Sequence, residues 1–202
     1  IYYVTNEKEQ SQYINMFKEA GIDAVILPNP IDSPFMQHVE QKNEGLKFLR
    51  IDADVNETFK DAEETDEAAK EQEKKDAETL AEVFKKAIGN DKLNVKVEKL
   101  KNEGLASMIT VSEESRRMQD MMKMYSMPGM DMGEFGKEGE TLILNANHPL
   151  VEYVMQNTDG KNVDMICEQL YDLALLQHAP LEPEAMAKFV QRSNDIMMLL
   201  TK

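Results

Sequence analysis

Apolar and polar positions along this chain change their period several times, and each change marks an element. Ile1 to Thr5 is β-branched and aromatic, Gln10 to Ala20 has helical spacing with Gly21 placed to end it, and Asp23 to Leu27 is a second apolar run. A helix should start near Ile31, with Asp32 or Ser33 as its cap and Pro34 in its first turn, before Leu46 to Ile51 supplies a third strand. This order predicts a small βαβαβ subdomain with a parallel sheet. Residues 52–78 then hold twelve acidic residues and four lysines and few large apolar side chains. Leu80, Val83, Phe84, Ala87 and Ile88 restore a helical stripe that Gly89 closes. The charged helix is expected to connect two domains, 1–62 and 63–202.

Farther along, Leu93 to Leu100 and Ala106 to Val111 alternate as two strands joined around Asn102 and Gly104, and Thr141 to Leu144 is a third. Ser112 should cap a helix over residues 113–126, and His148 with Pro149 should begin another. One apolar stripe follows at Val163, Ile166, Leu170, Leu173 and Ala174, and a second, after a Pro180 to Pro183 turn, at Met186, Phe189, Val190, Ile196, Met197 and Leu200. Two antiparallel helices are predicted, with more apolar surface than one contact with a three-stranded sheet needs. A two-fold pairing of chains into a dimeric four-helix bundle would bury it, and an ordinary intrachain core is the alternative. The fold class expected is α/β followed by α+β.

Charge narrows the function. A balance of 38 acidic against 23 basic residues disfavours binding along nucleic-acid phosphates or anionic membranes, because both need clustered Lys and Arg. The single cysteine, Cys167, makes no internal disulfide, and no apolar run approaches the ~18 residues that span a bilayer, so a cytoplasmic protein is expected. The start at Ile1, inside a strand, reads as a piece of a longer protein.

Candidate catalytic residues are few. His38, His148 and His178 are scattered without ligand spacing, Cys167 has no identifiable base, and neither a catalytic set nor a metal site is expected from them. The first strand-to-helix turn, Thr5-Asn6-Glu7-Lys8, lacks the glycine that brings backbone against a pyrophosphate. Seven of the fifteen methionines lie between Met118 and Met132. Met118, Met121, Met122 and Tyr125 share a helix face, and Pro128, Gly129, Gly133, Gly136 and Gly139 predict a loop after it. Three readings stay open for this segment: core packing, an adaptable apolar surface for varied partners, and a thioether site for copper(I).

Several phrases resemble one family, the heat shock protein 90 chaperones, and within it the bacterial high-temperature protein G branch. Ile1 to Thr5, Gly21 to Leu27, Ile31-Asp32 and Phe35-Met36-Gln37 are similar to the last α/β part of that family's middle domain. Leu144 to Leu150, and Leu181-Glu182-Pro183 with Phe189 and Arg192, are similar to its C-terminal domain. The resemblance implies a homodimer through the terminal helices, with Ile166, Leu170, Leu173, Met186, Phe189, Val190, Ile196, Met197 and Leu200 at the interface. It implies contact with non-native client proteins through Phe35, Met36 and Gln37 and through Met118, Met121, Met122 and Tyr125. Met127 to Gly139 departs from the short form of the family. The resemblance further implies a stress-response chaperone whose ATP and Mg belong to the full-length parent, with no cofactor and no ATP hydrolysis in this piece. Bacterial co-chaperones are implied partners. The end at Lys202, without the acidic tail of eukaryotic cytosolic members, points to a bacterial source.

Overall fold

A computed structural model describes residues 1–53, 59–61, 67–118 and 139–201. They form two compact units, the first from residues 1–58 and 110–140 and the second from 59–109 and 141–202. The sequence predicts the consecutive segments 1–62 and 63–202; among the described residues, 110–118 and 139–140 cluster with the first unit.

In the first unit β1 (Tyr2–Val4), α1 (Ser11–Glu19), β2 (Val25–Ile26), α2 (Asp32–Lys42) and β3 (Leu49–Arg50) follow in order. The strands pair in parallel as β2-β1-β3, with Tyr3 opposite Val25 on one side and Arg50 on the other. Tyr13, Met16 and Phe17, spaced i, i+3 and i+4, are the buried face of α1. That helix ends at Gly21, whose φ of +67° is open to glycine at no steric cost. The Gly21 and Ile22 N–H groups donate back to the Lys18 and Phe17 carbonyls, a Schellman closure. Under α2, Tyr3, Met36 and Phe48 make a core packed by Leu27, Val39 and Leu46. The start of α2 corrects the expected cap. Its N-cap is Ile31 with no side-chain bond, and the Asp32 carboxylate instead accepts from the Asn29 N–H at 2.8 Å. Residues 113–118 are helical, and Ser112 Oγ accepts from the Ser115 N–H at 3.2 Å.

In the second unit α3 (Glu67–Ile88) buries Leu80 and Phe84 and packs on β4 (Asn94–Glu98), α4 (Pro149–Gln156) and α5 (Val163–His178). The sheet runs β4-β6-β5, with β5 at Ser107–Val111 and β6 at Glu140–Asn145. β4 and β5, consecutive in the chain and joined around Asn102 and Gly104, are thus not neighbours. β6 lies between them and pairs in parallel with β4, Val95 opposite Leu142 and Val97 opposite Leu144. Its Leu142, Ile143 and Leu144 are at most 1% exposed, and a strand apolar on both faces belongs in the centre. Buried Asn145 closes the layer: its Oδ1 accepts from Leu100 N–H and Asn147 N–H, and its Nδ2 donates to the Asn102 and Leu105 carbonyls. α4 begins at His148, whose Nδ1 accepts from the Leu150 N–H at 3.1 Å, with Pro149 in the first helical position. After residues 179–182 the chain folds back along α5 as α6 (Pro183–Leu199).

Candidate functional site

Two places in the molecule carry features that folding alone does not require. The first lies in the first unit, where Glu113 and Arg117 share one helix face by their i, i+4 spacing. Arg117 Nε donates to Glu113 Oε1 at 2.9 Å, and Nη1 and Nη2 donate to Glu40 Oε2 and Oε1 at 2.7 and 2.9 Å. Nη2 also donates to the Phe48 carbonyl at 3.2 Å. Glu113 accepts in addition from the Tyr3 hydroxyl at 2.9 Å and the Arg50 N–H at 3.1 Å. The Arg117 hydrogen bonds hold the Glu40 carboxyl below its ordinary range despite partial burial. Burial pushes the Tyr3 hydroxyl far up, and the Glu113 charge pushes it further.

In the same unit Asp52, 1% exposed, accepts from Arg50 Nε and Nη2 at 2.7 Å each, and Arg116 Nη2 stands 3.2 Å away. Two guanidinium groups thus face one buried carboxylate. Glu40, Glu113, Arg117 and Phe48 belong to an open cleft of about 930 Å³ whose other walls include Pro34, Gln37, Leu46, Leu49 and Met118.

The second place is α6. It has no buried residue over its whole length, and Val190, Met197, Met198 and Leu199 are 45% to 59% exposed, with Leu200 just beyond it at 84%. Its attachment to α5 includes a set of polar bonds. Arg192 donates to Glu168 at 2.7 Å, to Asp172 and to Gln169 Oε1 at 2.9 Å, and Gln169 Nε2 donates to Ser193 Oγ at 3.1 Å. Arg192 and Ser193 are therefore engaged inside the chain, while Val190, Met197, Met198 and Leu199 are not covered by it.

The predicted site residues separate under this geometry. Gln37 and Met118 line the cleft, and Phe35, 55% exposed, stands on the surface of α2 outside it. Met36 does not belong to an exposed set: at 3% exposure it packs against Tyr3 and Phe48, on the sheet-facing side of α2. Met121, Met122 and Tyr125 lie outside the described residues. In the helix pair Leu173, Val190, Met197 and Leu200 are exposed, and Ile166, Met186, Phe189 and Ile196 are partly covered. Leu170 is corrected to a core residue, 2% exposed, with its carbonyl accepting from Ser107 Oγ at 2.8 Å. Sequence reading missed Glu40, Glu113 and Arg117. The i, i+4 pair was legible, but its link to Glu40, 77 positions away, was not.

The remaining candidates are closed by their surroundings. Cys167 is buried, and desolvation, with the Asp164 charge behind it, pushes its thiol up to about 12, so it is no nucleophile near neutrality. The Thr5 and Asn6 N–H groups both donate to Gln10 Oε1, at 2.8 and 2.9 Å, so these two donors are taken within the turn. Among the described residues no group of three or more His, Cys, Asp or Glu is placed to hold a metal ion. Among them no helix is long and apolar enough to cross a membrane.

With a parallel α/β unit, a second sheet-and-helix unit and an uncovered terminal helix in place, comparison with known proteins decides the class. The family model described as Hsp90 protein matches residues 1–202, and the chain belongs to that family. Among individual proteins it is similar to the chaperone protein HtpG of Treponema denticola, 28% identical over 98% of this chain and 30% of that protein. It is also similar to the HtpG chaperones of Porphyromonas gingivalis ATCC 33277, 29% identical over 76% of this chain and 22% of the relative, and of Bacteroides fragilis 638R, 30% identical over 78% and 23%. The chain spans less than a third of the length of these curated relatives.

Proposed function

We propose that this chain is the dimerisation and client-contact portion of a cytoplasmic, ATP-dependent chaperone of the HtpG type. It comprises the end of the middle domain and the C-terminal domain, and ATP and Mg act in the part of the parent outside it. The observation that carries the reading is α6, a helix of 17 residues with no buried side chain. Apolar area of that kind is stabilised by burial at roughly 25 cal/mol per Å2, and a two-fold pairing of α5 and α6 with the same helices of a second copy buries it in a four-helix bundle. Dimerisation holds two arms at high effective concentration, which makes closure elsewhere in the parent nearly intramolecular.

Client contact is assigned to the exposed apolar side chains of the first unit, Phe35 and Met118, and to Met121, Met122 and Tyr125. Unbranched methionines repack against differently shaped partners. Sedimentation equilibrium over a wide concentration range tests the dimer. A species near twice 23.1 kDa that Ile196→Asp with Leu200→Asp dissociates is the expected result. A monomer at every concentration overturns it. For clients, Phe35→Ser with Met118→Ser should weaken binding of a destabilised test protein, read by fluorescence anisotropy, and leave the dimer intact. Unchanged affinity removes that assignment.

A further inference from the structure

The charged cluster of the first unit has a geometric regularity beyond its ion pairs. In β3, the Leu49 and Ile51 N–H groups donate to the Ile1 and Tyr3 carbonyls of the β1 segment, at 2.9 and 3.1 Å. Backbone groups alternate sides along a strand, so the polar groups of Phe48 and Arg50 point away from β1, along the outer edge of the sheet. All four are occupied by atoms of the same unit. The Phe48 N–H donates to Glu40 Oε1 at 2.7 Å and the Phe48 carbonyl accepts from Arg117 Nη2 at 3.2 Å. The Arg50 N–H donates to Glu113 Oε2 at 3.1 Å and the Arg50 carbonyl accepts from the Ala53 N–H at 2.9 Å. Two carboxylates and one guanidinium stand where a neighbouring strand would place its carbonyls and N–H.

The side chains that cover the edge are fastened by charge. Glu40, Arg117 and Glu113 keep 18%, 29% and 15% of their side-chain surface, and residues 113–118 bury no apolar side chain. Pairs that keep this much surface are screened by salt less than fully exposed ones, but their partners are exchangeable for other hydrogen bonds, while Arg116, 5% exposed and 3.2 Å from Asp52, anchors the same helix beside them. Beside the edge the cleft presents Pro34, Leu46, Leu49 and Met118, which suits the side chains of an incoming strand.

We propose that Glu40, Arg117 and Glu113 act as a removable surrogate strand: they lock the outer edge of β3, and when they open, that edge takes an extended, non-native polypeptide segment as a fourth strand. The lock prevents unwanted edge pairing, and its opening provides main-chain recognition, which is indifferent to the sequence of the guest. The inference rests on the client reading only for the natural occupant; the lock itself rests on the geometry.

The test uses the full chain, as wild type and as Glu40→Ala with Glu113→Ala. Amide exchange by NMR should show Phe48 and Arg50 at least about tenfold faster in the variant, the loss expected for one charge-assisted hydrogen bond, with Leu49 and Ile51 still protected. A fluorescein-labelled six-residue Val-Thr repeat should bind the variant at least about tenfold more tightly than wild type, and an analogue N-methylated at alternate residues should not gain. Unchanged exchange at Phe48 and Arg50, equal binding of the two peptides, or association of the variant beyond the wild-type oligomer without peptide binding overturns the proposal. Should the double variant lose protection at Leu49 and Ile51 as well, the wild type decides: rising salt must accelerate Phe48 and Arg50 before Leu49 and Ile51, and a uniform response overturns it. Failure here leaves client contact through Phe35 and Met118 standing, whereas failure of the serine variants leaves the lock standing.

Discussion

Along the outer edge of β3 four backbone polar groups are each met by an atom of the same unit, whereas along α6 no side chain is buried and Val190, Met197, Met198 and Leu199 stay in solvent. The contrast is physical. A polar edge is satisfied group by group, so three side chains and one turn suffice. An apolar face is satisfied only by area, and α5, which buries Val163, Cys167, Leu170 and Ala174 against its own unit, covers α6 only in part. A unit can therefore close its own polar edge with a few atoms, while an apolar helix face is closed only by another apolar surface.

The comparison is broken most sharply at its most buried charge. Asp52→Ala leaves Arg50 and Arg116 without their shared carboxylate and should destabilise the first unit by about 3–5 kcal/mol, read as a lowered urea midpoint of that unit's transition. A loss below about 1 kcal/mol would mean that water replaces the carboxylate at no cost.

Next in size is the seam of the helix pair. Arg192→Ala removes the bonds to Glu168, Asp172 and Gln169 and should cost about 2–3 kcal/mol in the second unit, with the dimer loosened because α6 is no longer held in place. An unchanged dimer would show that apolar pairing alone positions α6.

Acid is a smaller probe. The folded Glu40 carboxyl sits below its ordinary value of 4.5, so its contribution is complete above that pH and is lost as the pH falls through the depressed value. The acid-induced loss of stability should therefore be shallower in Glu40→Gln than in wild type below about pH 4.5. Parallel profiles would remove Glu40 from the account. Smallest is salt: 1 M NaCl should loosen residues 113–118 in hydrogen exchange and strengthen or leave unchanged the pairing of α6, since screening acts on charges and not on apolar area.

Much of the local structure was legible. Gly21 and Gly89 stop helices where the spacing places them, because a left-handed φ is open to glycine at no steric cost, and Gly89 closes through bonds from its own N–H and that of Asn90. Of the residues that the resemblance marks for client contact, Phe35 and Met118 are exposed, whereas Met36, one position from Phe35, is core: a step of ~100° along a helix carries a side chain from solvent to sheet. Asp32 illustrates the opposite failure, since a good capping residue is still free to bond another N–H, here that of Asn29.

What the chain determined by itself are the quantities that depend on neighbours within one or two turns: the alternation of strand and helix, the helix stops, the apolar stripes of α5 and α6, and the residue phrases that mark the family. Tertiary structure decided what depends on residues distant in the chain. It placed β6 between β4 and β5, joined Glu40 to Arg117 across 77 positions, and made Asn145 the closure of the 100–105 loop. Periodicity reports which side of an element is apolar. Which distant group meets each polar atom is set only when the chain is compact, because buried donors and acceptors must then all be satisfied at once.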